Sequence, residues 1–188
     1  MAQKEKVYSQ VTDAEDIVKN LCKQYPEELW TVRPETIAVL GVENKKRGKK
    51  STTLARIIPV KGAEKAVFQS FSVPVRYIIE LYWNDWNEWC MAVKEWIIYH
   101  ELLHVAPDFG KTVKHDSEDF RMVLDVVGVD WTKKGDSLPR LLDGDKVKFN
   151  LDLRPSLAEA EEGDEIPQDQ EADEETEAEP KEDAEELF

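Results

Sequence analysis

All three histidines of this 188-residue chain fall within sixteen positions, His100 and His104 in the string HELLH and His115 eleven residues further on. On an α-helix, side chains four apart lie about 40° apart around the axis and one turn up, so both imidazoles can reach a single cation. Glu101 falls about 100° from His100 and about 60° from His104, on the flank of that face, where a carboxylate meets water without ligating the ion. The implied chemistry is hydrolysis assisted by zinc. His100, His104 and His115 are the expected ligands of Zn2+, a fourth position is left to water, and Glu101 is the expected catalytic acid/base.

Such a pair needs a helix, and residues Asn87 to Val105 supply its pattern, with Pro107 as the stop. Val93, Trp96 and Ile97 share the side of His100, and Met91, Ile98 and Leu102 lie opposite. Only Glu88, Lys94 and Glu95 are left for water. A helix apolar on nearly every side is buried, and burial gives ligands a rigid mount. The third histidine is expected at the mouth of another helix. Asp116 or Ser117 can cap a segment running to about Val127, with Gly128 as its stop, and a turn there brings His115 back to the pair. Asp116 or Asp119 can orient a ligand imidazole, although helix capping is the plainer reading of both.

Upstream, Thr12 to Gln24 has helical spacing, with Thr12 or Asp13 as cap and Pro26 beyond its end. Thr36 to Val42 and Leu54 to Val60 read as strands of a hairpin whose tip is the basic run Asn44 to Lys50. Ala66 to Phe71 and Val75 to Trp83 read as further extended stretches, and Lys146 to Leu153 as an amphipathic strand or an extended segment packed on the domain. The expected fold class is α+β: a small mixed sheet packed on a central helix that carries the HExxH motif. Trp83, Trp86, Trp89 and Trp96 are assigned to the interior in preference to a substrate-lining wall.

Charge separates the chain into two parts. From Glu159 to Phe188 there are sixteen Asp or Glu residues and one Lys, so the formal charge of −15 resides in the tail and residues 1–158 balance. The expected division is a catalytic domain over residues 1–155 and a disordered acidic tail over 156–188, since the tail has too little apolar surface to offset its ordering entropy. Two cysteines, no membrane-length apolar run and no secretory h-region lead us to expect a cytoplasmic protein without a membrane partner and without a second, four-cysteine zinc site. Lys45, Lys46, Arg47, Lys49 and Lys50 read first as a solvated tip, with nucleic-acid contact as the weaker reading.

The succession YIIELYWNDW at Tyr77 to Trp86, HELLH at His100 to His104, HDSEDF at His115 to Phe120 and then Gly128 resembles the phage-type metallopeptidases, relatives of the SprT-like zincins. The resemblance spans roughly residues 10–131. It implies a minimal zincin-like peptidase domain, His100, His104 and His115 as zinc ligands, Glu101 as acid/base and a protein or peptide as substrate. It also implies that Tyr77 to Tyr82 is the edge strand against which an extended substrate is laid. An acidic tail stands where SprT-like proteins often carry a zinc ribbon, so DNA-linked proteolysis is not expected. A different class of function is a non-catalytic, zinc-stabilised binding protein that uses its tail to capture a basic partner or mimic nucleic acid.

Overall fold

A computed structural model describes residues 7–43, 54–108, 110–115, 119–155 and 161–162, with backbone alone at 83–84 and 161–162. In chain order the elements are β1 (Val7–Gln10), α1 (Thr12–Gln24), β2 (Ile37–Glu43), β3 (Ala55–Pro59), α2 (Gly62–Ser70) and β4 (Tyr77–Tyr82). They are followed by α3 (Trp83–Glu88), α4 (Met91–Leu103), β5 (Lys111–Thr112), α5 (Arg121–Val127) and β6 (Glu161–Glu162). The molecule is α+β, with a small mixed sheet and several helices.

The sheet runs β1-β2-β4-β3, with β2 and β4 parallel and the two outer pairs antiparallel. Period-two alternation sends Ile37 and Val39 of β2 and Tyr77, Ile79 and Leu81 of β4 to one face, where all five are buried. The register places Val39 and Ile57 on either side of Ile79, so one apolar row crosses three strands under the helices. On the other face Glu80 takes Arg56 Nε at 2.7 Å and the Tyr8 hydroxyl at 3.0 Å, an opposite-charge cross-strand pair extended by a phenol.

This order corrects two expectations. The strands near Thr36 and Leu54 do not form a hairpin, because β4 lies between them and pairs with both. A long connection does not force its ends to be neighbours, and β4, with Tyr77, Ile79 and Leu81 buried, lies inside the sheet next to β2, both of its edges covered. For the same reason Tyr77–Tyr82 is not the edge strand that the resemblance implied. Among the described residues the edges of this sheet are β1 and β3. The basic run 44–50 lies outside the described residues.

Ala66 to Phe71 is not extended but falls largely within α2, where Ala63, Glu64, Lys65 and Ala66 outweigh the strand preference of Val67 and Phe68. The long helix predicted from Asn87 is interrupted at Trp89 and Cys90, giving α3 and α4. α4 ends at Leu103, four residues before Pro107, in a turn tightened by Val105 N–H donating to the Leu102 carbonyl at 3.1 Å. Residues 146–150 form no strand, and Leu151–Leu153 is a single 3₁₀ turn. The segment is held by side chains: Phe149 stacks on Tyr99 at 4.7 Å between ring centroids and meets Tyr25 and Trp96 edge-on.

The central helix is as buried as its composition required, with Ala92, Val93, Trp96, Ile97, Ile98, Tyr99, Leu102 and Leu103 all in the core. Trp86 and Trp96 are interior, their indole N–H groups donating to Asp13 Oδ2 at 3.2 Å and to the Pro139 carbonyl at 2.8 Å. Glu95, expected to face water, is 1% exposed. Its carboxylate receives Arg140 Nη2 at 2.6 Å and Nε at 2.9 Å, and the backbone N–H of Leu141 at 2.7 Å, which pins the 138–142 segment to α4. Within the acidic tail, Glu161–Glu162 form β6 against β5.

Candidate metal centre

Each of the three histidines comes from a different kind of structure. His100 occupies the last turn of α4, His104 is its C-cap with φ −73° and ψ −11°, and His115 lies between β5 and α5. The nearly helical dihedrals of His104 keep its ring in line with that of His100, their centroids 5.2 Å apart. His115 Nε2 lies 3.0 Å from His100 Nε2 and 3.1 Å from His104 Nε2. A tetrahedral ion with nitrogen bonds of ~2.0–2.1 Å sets its ligand nitrogens ~3.3 Å apart, so these separations are close to one edge of such a polyhedron.

The opposite ring nitrogens decide what the Nε2 atoms can be. His104 Nδ1 is 2.5 Å from the Val113 carbonyl, an acceptor with no proton to give, so Nδ1 carries the hydrogen. His100 Nδ1 lies 2.8 Å from Asp119 Oδ1, which selects the same tautomer in a neutral ring. Two Nε2 lone pairs therefore converge on His115, whose Nε2 has at most one hydrogen for both. A cation resolves that crowding. The donor set, its spacing and its tautomers fit a divalent metal ion, as does the clustering of all three donor atoms within 4.8 Å of one another.

Asp119 is itself held firmly. Its Oδ1 accepts the Phe120 N–H at 2.6 Å and its Oδ2 the Trp131 indole N–H at 2.7 Å. Burial alone would raise this carboxyl, but the hydrogen bond from His100 and the His100 charge hold it below the usual carboxylate range. Burial depresses His100, yet Asp119 and the Glu101 charge more than offset that, leaving its pKa raised. His104 is brought down to about 3, first by burial and then by the His100 charge, which favours the neutral form that a metal needs.

Glu101 is 6% exposed, and burial raises its pKa. The His100 charge and a hydrogen bond to the backbone of Ile57, on edge strand β3, act against that rise. It is a buried carboxyl next to His100, with its pKa above the ordinary carboxylate value.

Sequence reasoning did not find three contributors. Phe120 packs against all three imidazoles, with centroids 5.3, 4.7 and 4.9 Å from those of His100, His104 and His115, closing the site on its apolar side. The Val113 carbonyl leaves no mark in a sequence, because any residue has one. Trp131 reaches Asp119 from twelve positions away with no local pattern to announce it. Tyr77, 0% exposed, gives its hydroxyl to the Lys111 carbonyl at 2.9 Å and so supports the loop before His115. Tyr99 is buried in the aromatic core, far up in pKa by desolvation, with Tyr25 and Phe149 as its neighbours. Asp116 and Ser117 lie outside the described residues, and α5 begins only at Arg121, with Gly128 at φ 70° ending it as expected.

Among the described residues no helix is long and apolar enough to cross a membrane. Neither the curated proteins nor the solved structures contain a match to this chain. One family model does match, that of the putative phage metallopeptidases, and since it extends over residues 6–139, from β1 through α4 and the three histidines to α5 and beyond, the chain belongs to that family.

Proposed function

We propose that the chain is a zinc-dependent peptidase of the zincin type, related to SprT-like proteins, that cleaves an intracellular protein. His100, His104 and His115 hold the ion and Glu101 is the catalytic acid/base. The observation that carries this reading is the convergence of three Nε2 atoms at 3.0 and 3.1 Å, with Asp119 and the Val113 carbonyl fixing the far side of two of the rings. Zinc bound there would supply a Lewis acid that polarises a peptide carbonyl and makes a water molecule acidic near neutral pH.

The residues divide the remaining work. Glu101, raised in pKa by burial, takes the proton from water and returns it to the departing amine nitrogen. Asp119 keeps His100 in the tautomer that presents Nε2, and Phe120 keeps water away from the back of the rings. An extended substrate can add to β3, which ends the sheet beside α4 and already reaches Glu101 through Ile57. Backbone pairing of that kind accepts many sequences.

The test is Glu101→Gln in the purified full-length protein with an unfolded protein as substrate. The proposal expects loss of turnover with bound zinc retained. Unchanged turnover would remove Glu101 from the chemistry.

A further inference from the structure

β5 occupies a sensitive position. It lies seven residues after His104 and three before His115, and the chain around it is fastened on one side to the end of α4. Thr112 bridges Val105, the Val113 N–H donates to the His104 carbonyl at 2.8 Å, and the Val113 carbonyl accepts His104 Nδ1 at 2.5 Å. Tyr77 holds the Lys111 carbonyl from the sheet. The outer partner of β5 is β6, antiparallel, with Lys111 opposite Glu162 and Thr112 opposite Glu161.

A two-residue ladder is marginal alone, and the tail brings almost no apolar surface to it. Charge can supply what is missing, because a cationic position directly faces an anionic one across the ladder. Only residues 156–160 separate Pro155 from β6, so the encounter is intramolecular over a short tether.

We propose that the acidic tail is a clamp in cis on the metal-binding loop. By adding a strand to β5 it steadies the segment that gives His104 its carbonyl partner and leads into His115, and so slows loss of the ion. This rests on the assignment of the three histidines as ligands. The occupant of the β5 edge is the chain's own Glu161–Glu162 segment, and metal retention depends on it.

The experiment uses the full chain with Glu161→Pro and Glu162→Pro together, so that whichever of the two N–H groups faces β5 is removed and residues 7–155 are left untouched. Zinc affinity is read by competition with a chromophoric chelator, and amide hydrogen exchange is followed at Lys111 to Val113 in the metal-free protein. The clamp predicts exchange there at least threefold faster and zinc held about 3- to 10-fold less tightly. Lys111→Glu should do the same, and Lys111→Glu with Glu162→Lys should recover part of the loss. Equal exchange and equal affinity in the proline variant would overturn the clamp. So would protection that rises with protein concentration, since the strand would then come from a second copy. A protein that binds no zinc in any form would overturn the ligand assignment, and exchange alone would then decide whether the tail docks.

Discussion

Two carboxylates buried on one helix have opposite fates. Glu95, in the first half of α4, is surrounded by donors: two nitrogens of Arg140 and the N–H groups of Leu141 and Leu142. Glu101, near the other end, feels the His100 charge and a hydrogen bond from the edge strand, and its pKa is raised by burial. A buried charge with a full complement of partners is an anchor, whereas one with fewer is available for proton transfer. On the function proposed above, the same side chain in nearly equal burial serves structure at Glu95 and chemistry at Glu101.

The comparison would be sharpened most by Glu101→Gln, which should lower kcat by about 10²- to 10⁴-fold and leave zinc content and thermal midpoint close to those of the parent. Glu95→Ala should behave in the opposite manner. Removing it strands two backbone N–H groups and a half-exposed guanidinium, so urea unfolding should show a loss of about 2–4 kcal/mol, while turnover per folded molecule stays within a factor of two. If Glu95→Ala instead abolished activity in a stable protein, the division between the two ends of α4 would be wrong.

Smaller effects probe the shell around the histidines. Asp119→Ala frees the His100 ring to turn, and zinc affinity measured by chelator competition should fall about 10- to 100-fold with little change in the fold. The same contact sets a pH dependence. The pKa of His100 is raised above its ordinary 6.5, and a protonated ring must lose its proton before Nε2 and Nδ1 can serve the ion and Asp119 together. Zinc affinity should therefore be flat above the raised pKa and fall by about tenfold per pH unit below it. In Asp119→Asn, that decline should begin at a lower pH, because the partner that raised the pKa has lost its charge.

The histidine cluster was legible because its residues are close in sequence and of a rare type. Three histidines within sixteen residues, with Glu101 between two of them, announce themselves without knowledge of the fold. The sheet was less legible. Whether β2 meets β3 or β4 depends on pairing across the whole sheet, and no stretch of ten residues contains that competition. Glu95 was misread for the same reason: a helical wheel records its charge but not Arg140, which arrives from 45 positions away. Asp119 was visible as one of two candidates; it meets His100 and is held by the Trp131 indole, contacts from distant residues that no local pattern shows, while Asp116 lies outside the described residues.

The most direct test of the central claim is the zinc content of the purified protein beside that of His115→Ala, determined by elemental mass spectrometry after exhaustive dialysis. We expect one zinc per chain in the parent and almost none in the variant, with both folded by circular dichroism. Equal zinc in the two proteins would remove His115 from the ligand set and contradict the three-histidine centre on which the peptidase reading stands.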